Sequence, residues 1–228
     1  MQHSNSTRRP RPRPGRADRV MAGAAKAEVA AERRELADLL AGLSADDWDL
    51  PTLCSGWRVR EVVAHVTMPY RQSAPRFVWE MVKSRGNFNA MADRCARCDA
   101  ARLSTSELLH DVRAHAEDGW KPPGGGYQGA LTHEVVHGLD WTTALGIPRD
   151  ISEQRLHMVL DNLSSPRPRK FFGVDLSDVQ LRATDIDWSL GSGTAVLGAA
   201  QDLLLVLCGR QLPVGRLSGP ISARFTAP

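Results

Sequence analysis

Ala130-Leu-Thr-His133-Glu134-Val-Val-His137-Gly-Leu-Asp140-Trp141-Thr-Thr-Ala144-Leu-Gly146 is the stretch from which the rest of the chain is best read. It predicts a helix over 129–145, closed by Gly146 and Pro148, after a flexible loop from Pro122 to Gly129. His133 and His137 are four residues apart, so their imidazoles share one helix face, one turn apart. Two rings so placed can converge on one metal ion at about 2.0–2.1 Å. Ala130, Trp141 and Ala144 lie on roughly the same face, which should therefore look into a helical bundle. Buried paired histidines without a ligand would need other hydrogen-bond partners.

The third ligand expected is His65. A helix predicted from about Trp57 into the eighties carries the apolar stripe Val59, Val62, Val63 and Val66. Pro69 has no N–H for the His65 carbonyl, so a kink or an end is expected there. A bundle can set this second helix beside the fourth, with His65 facing the pair. Three protein ligands leave one position open, as reactive zinc sites require. His-Glu-Val-Val-His also matches the HExxH pattern of zinc metalloproteases, where the glutamate is the general base. The extended pattern fails, because Asp140 stands where a glycine belongs and Thr143 where the last histidine belongs. A hydrolase using zinc-activated water, with Glu134 as base, remains the first alternative.

Upstream, 22–43 reads as a helix with Leu36, Leu39, Leu40 and Leu43 at helical spacing. Ser44 caps a short turn with Asp47, Pro51 to Gly56 is a loop, and Ser55 is placed to cap the second helix. Ser104-Thr-Ser-Glu107 is a capping box that opens a third helix, to about Trp120. Downstream, Ser152 caps a helix to about Leu163, and Pro166 and Pro168 break a basic linker. Val179 to Thr184 alternates like a strand, and strand-like pieces follow between Trp188 and Leu197. Ala199 to Cys208 is an apolar helix ending at Gly209. The expected organisation is a basic tail (1–20), a helical bundle (21–148) and a small α+β domain (149–228), mainly α in class.

Composition sets limits on function. The 228 residues carry a net charge of +3. Six arginines against Asp18 put +5 on residues 1–20, which leaves −2 on the rest. A basic tail on a slightly acidic body argues against a nucleic-acid-binding domain. Alternating prolines in Arg8-Arg-Pro-Arg-Pro-Arg-Pro-Gly-Arg16 oppose helix and sheet, so a solvated arm is expected. Arg8-Arg9 precedes no apolar stretch of the kind an export signal needs, and no apolar run is long enough to span a bilayer. A cytoplasmic protein is expected, with Met21 an alternative start. Cys54, Cys95, Cys98 and Cys208 make no disulfide framework, and one CxxC at 95–98 lacks the second pair of a structural zinc site.

Three blocks resemble a known family. Leu39-Leu-Ala-Gly-Leu-Ser-Ala-Asp-Asp-Trp48, Pro51-Thr-Leu-Cys-Ser-Gly-Trp57 and Val59-Arg-Glu-Val-Val-Ala-His-Val66 resemble the start of actinobacterial mycothiol-dependent maleylpyruvate isomerase-like proteins. His137-Gly-Leu-Asp-Trp141 with Ala144-Leu-Gly146 is similar to their second signature. Thr184-Asp-Ile-Asp-Trp188, Gly191-Ser-Gly193 and Leu207-Cys-Gly-Arg210 resemble their C-terminal domain. The resemblance covers most of 22–220 and implies a DinB-like four-helix bundle, with ligands from one helix histidine and a pair four apart on another. It supports His65 as a ligand. In the isomerase the first of the pair is a glutamate; here it is His133, with Glu134 shifted by one.

The resemblance implies zinc as cofactor and mycothiol as cosubstrate, the metal holding the sulfur as thiolate for attack on a small electrophilic metabolite. Return of the thiol makes an isomerase; retention makes an S-transferase. Arg210, Arg71 and Arg76 are the cations expected to orient a substrate carboxylate, and Asp140 is expected to hold a ligand imidazole in its tautomer. Cys54 reads as structural. A non-catalytic member that binds a metal or small ligand is the second alternative.

Overall fold

The computed structural model describes residues 16–227, with side chains from Met21 onward. Residues 1–15, most of the expected arm, lie outside the described residues, while 16–20 already belong to the first helix. α1 spans Arg16–Ala41, and its buried positions Val29, Ala30, Leu36, Ala37 and Leu40 repeat at helical spacing. Ser44 and Asp47 then close a short turn, with Ser44 N and Oγ donating to the Asp47 carboxylate at 2.8 and 2.7 Å.

α2 covers Val59–Arg71, and its start corrects one expectation. Arg58 is the cap rather than Ser55, and Glu61 receives the Arg58 backbone N–H at 2.9 Å. The helix passes Pro69 and ends two residues later. It does not continue into the eighties. Gln72 and Ser73 are extended, and Ser73 caps a separate α3, Ala74–Lys83, whose second residue is Pro75. α4, Phe88–Arg102, had no counterpart among the expected helices. α5 spans Thr105–Ala114 behind the Ser104–Glu107 capping box, and α6 spans Gly126–Ala144. Four of these helices form a closed ring. α1 packs on α5 and α6, and α2 packs on the same two from the opposite side, while α4 packs outside α2 and α3 on α4.

α7, Glu153–Ser164, is capped by Ser152 as expected. The segment after it is not a linker but a short helix, α8, Pro166–Phe172. Pro166 opens it, where a missing N–H costs nothing, and Gly173 closes it in the left-handed region at φ 63°. β1 (Val179–Ala183), β2 (Ser189–Gly191), β3 (Thr194–Gly198) and β4 (Leu217–Ser218) form one sheet in the order β2-β1-β3-β4. β1 and β3 are parallel, with Val179 opposite Thr194; the other pairings are antiparallel. Gly191 and Gly193 make the tight β2–β3 connection. Both have positive φ, and a Cβ on either would lie within 2.4 Å of a carbonyl oxygen, Val179 or Asp178. α9, Ala200–Leu207, lies between the sheet and the bundle.

The hydrophobic core does not stop at residue 148. Leu131, Val135, Val136 and Leu139 of α6 join Leu156, Val159, Leu160 and Leu163 of α7, the α9 leucines and the β1 and β3 interior in one cluster. On its other side α6 gives Trp141 to a second cluster, with Leu36, Leu40, Val59, Val62 and Leu108. A helix buried on both sides carries apolar residues on more than one face, as Leu131, Val135 and Leu139 do on one side of α6 and Trp141 on the other. No described helix is long and apolar enough to cross a membrane.

Candidate metal centre

Because α2 and α6 are neighbours in the ring, His65 meets His133 and His137. One nitrogen from each of the three rings lies within 4.8 Å of the others. The His65 and His133 Nε2 atoms are 3.0 Å apart, and the ring centroids are 4.8–5.0 Å from one another. Trp57 lies 5.0 Å from His65, and Trp120 lies 5.8 Å from His133, so indoles wall the cluster on two sides.

These residues fit a divalent ion. Tetrahedral zinc with Zn–N near 2.0–2.1 Å would separate two ligand nitrogens by about 3.3 Å, close to the spacing found. Burial holds His65 and His133 well below the ordinary histidine pKa, and the neighbouring His137 pushes in the same direction. Both rings are therefore neutral near pH 7, the form that ligates a metal. The Nδ1 atoms of His65 and His133 are buried without partners among the described residues.

Behind His137 stands a polar relay. Its Nδ1 is 2.9 Å from Asp140 Oδ2, which leaves Nε2 for the cluster. Arg210, just past α9, donates to Asp140 through Nε at 2.7 Å and Nη2 at 2.8 Å. Burial alone would raise the Asp140 carboxyl, but the hydrogen bonds from Arg210 and His137 outweigh it and hold the group below its usual value. The backbone carbonyl of Asp140 accepts from Leu53 N at 2.9 Å, which docks the 51–57 loop on α6. That contact brings Cys54 Sγ to within 4.8 Å of His137 and Asp140. Burial, reinforced by Asp140, pushes the Cys54 thiol up to about 11, so it is protonated at neutral pH.

The other expected site residues lie differently. Arg210 does not present a free cation: all three of its guanidinium nitrogens are occupied, Nη1 by the Cys208 carbonyl at 3.1 Å. Arg71 is occupied too, by Asp99, Asp111, Thr67 and the Ala64 carbonyl. Arg76 is exposed on α3. Glu134 turns toward α1, where Oε1 accepts from Arg33 Nε at 3.0 Å, and it is not among the residues whose ligand atoms converge. Burial raises its pKa to about 7, with Arg33 opposing. Cys95 is buried and Cys98 exposed, so they do not share an environment.

Arg33, Tyr70 and Trp120 escaped the sequence reading. Arg33 is 2% exposed and sits on the apolar stripe of α1, between Val29 and Leu36. A charge at a core position was the signal available.

Residues 29–119 match the mycothiol maleylpyruvate isomerase N-terminal domain, which bears out the family resemblance carried by residues 39–66. The match takes in His65 and ends before α6. Uncharacterized proteins from two strains of Mycobacterium tuberculosis are each 29% identical over 219 residues, covering 81% of this chain and 84% of their own length. Crystal structures of the mycothiol-dependent maleylpyruvate isomerase and of a histidine-to-alanine mutant of it align with a TM-score of 0.47 at 13% identity, over 91% of this chain and 95% of theirs.

Proposed function

We propose that the chain is a metal-dependent enzyme that uses mycothiol to isomerise, or to attach sulfur to, a small electrophilic metabolite. The observation that carries this reading is the convergence of His65, His133 and His137 in a chain whose N-terminal part matches the mycothiol maleylpyruvate isomerase domain. The three imidazoles would hold one zinc or similar divalent ion. That ion would supply Lewis acidity, favouring the ionised form of a thiol at neutral pH.

The chain's own residues do the rest. Asp140 accepts from His137 Nδ1 and so directs Nε2 into the cluster. Arg210 keeps Asp140 ionised and fixes its orientation from the C-terminal region, which makes it a positioning residue. Trp57 and Trp120 stand beside the rings and would limit the space open to substrate there. Glu134 is held by Arg33, which disfavours a hydrolase that would need it as the base next to the metal.

Metal analysis of purified protein should find about one divalent ion per chain, and His137→Ala should lose it. Calorimetry should detect mycothiol binding at well below millimolar concentration, with the metal-loaded protein only. Undetectable mycothiol binding together with thiol-independent ester or amide hydrolysis would overturn the reading in favour of the hydrolase.

A further inference from the structure

A substrate with a carboxylate needs a cation, and neither Arg210 nor Arg71 has a nitrogen to spare. Arg33 has one. Its Nε serves Glu134, and its Nη1 serves the carbonyls of His115 at 3.2 Å and Asp118 at 2.9 Å. Nη2 is buried with no partner among the described residues. The Tyr70 hydroxyl is also buried without a partner. The two belong together, because the Arg33 guanidinium carbon lies 5.5 Å from the Tyr70 ring centroid. Tyr70 is held flat by His115, stacked at 4.3 Å with an interplanar angle of 2°. The same group borders the histidines: Arg33 Nη1 holds the Asp118 carbonyl, the Asp118 side chain accepts from Trp120 N at 2.7 Å, and the Trp120 ring lies 5.8 Å from His133.

We propose that Arg33 Nη2 and the Tyr70 hydroxyl form the subsite that takes a carboxylate of the substrate beside the three histidines. This rests on the functional reading above and assigns the residues that would hold the substrate's acid group. An unpaired buried guanidinium edge and an unpaired buried hydroxyl each cost more than they return until an acceptor arrives. A carboxylate satisfies both, accepting a charge-assisted hydrogen bond from the one and an O–H donation from the other. Charge points the same way. Three neutral imidazoles would leave a divalent ion with its full charge, one thiolate would offset half, and a carboxylate would supply the remainder. The turn between α5 and α6 lies against this group. Arg33 Nη1 fastens that turn at His115 and Asp118, and it ends in Gly124-Gly-Gly126, where Gly124 and Gly126 have positive φ. The guanidinium that would receive the substrate also anchors this turn.

The test uses full-length, metal-loaded protein titrated with sodium maleate as a dicarboxylate probe, and in parallel with dimethyl maleate. Metal content and mycothiol affinity are measured on the same samples. Wild-type protein should bind maleate and not the ester. Tyr70→Phe, which keeps the ring and removes only the hydroxyl, should weaken maleate binding about tenfold, and Arg33→Lys at least as much, with metal and mycothiol binding unchanged. Maleate affinity equal to wild type in Tyr70→Phe overturns the subsite, as does no maleate binding by wild-type protein at millimolar concentration. Loss of metal or mycothiol binding in wild-type protein sinks the functional reading instead, so the two failures are separable.

Discussion

The two sides of α6 are built from opposite materials. Toward α7, α9 and the sheet it presents Leu131, Val135 and Leu139, and the partners are Leu160, Leu163, Leu203, Leu204 and Val206. Toward α1 and α2 it presents Glu134 and His133, with partners Arg33 and His65, and beside them His137 meets Asp140, which Arg210 reaches from the end of α9. α1 adds more charge nearby: Glu32, fully buried, takes Arg149 at 2.8 Å and Arg155 at 2.6 Å. The apolar side loses nothing by being dry, and its stabilisation scales with buried area. The polar side carries desolvated charges whose pairing recovers a part of their cost. It is a site held in place by a core on the other face of the same helix.

The comparison breaks most visibly on the dry side. Leu204→Ala removes a fully buried side chain and should destabilise the protein by about 2–5 kcal/mol, read as a lower urea midpoint. Metal content of the folded fraction should not change. A drop in metal stoichiometry in parallel with stability would show that the two faces are not separable. On the polar side, Asp140→Asn keeps the shape and removes the charge that His137 Nδ1 meets. Metal affinity should fall about 10–100-fold, measured by competition with a chelator, with a smaller change in urea midpoint than Leu204→Ala causes. An unchanged affinity would mean that Asp140 serves only Arg210.

A smaller effect should come from the edge of the bundle. Burial alone would raise Glu61, but the side-chain and backbone hydrogen bonds from Arg58 outweigh it and lower its pKa. A depressed folded-state value means the contribution to stability is present above the unfolded value of about 4.3 and is lost as pH falls through the folded one. The difference in urea midpoint between wild type and Glu61→Gln should therefore be open at pH 6 and close below about pH 4. A difference that persists at low pH would assign the effect to packing.

What could be read in the chain beforehand follows the same division. Local signals were legible: the Ser104–Glu107 box, the Ser152 cap, the alternation in β1, and the i, i+4 and i+3 spacings that set His133, His137 and Asp140 together. α4 was missed because its buried face is made of Met91, Ala92, Cys95, Ala96 and Ala100, small residues that give a faint periodic signal. α8 was missed because two prolines read as breakers, although at the first and third positions of a helix they are tolerated. The pairing of Arg33 with Tyr70 was invisible for another reason. Its meaning depends on α1, α2 and the turn after α5 arriving at one place, which no local spacing encodes.

Arg210 follows Gly209 at the end of α9, the helix with its leucines wholly inside the apolar core, and it reaches Asp140 from there. The orientation of the His137 imidazole is thus tied to the apolar core. The quantity most affected should be a time rather than an affinity. If His137 ligates an ion as proposed, release of that ion would be eased when His137 turns, and the Asp140–Arg210 pair opposes that turn. Arg210→Ala should therefore shorten the residence of the bound metal, seen as faster exchange with an isotopically labelled ion, even where occupancy at equilibrium changes little.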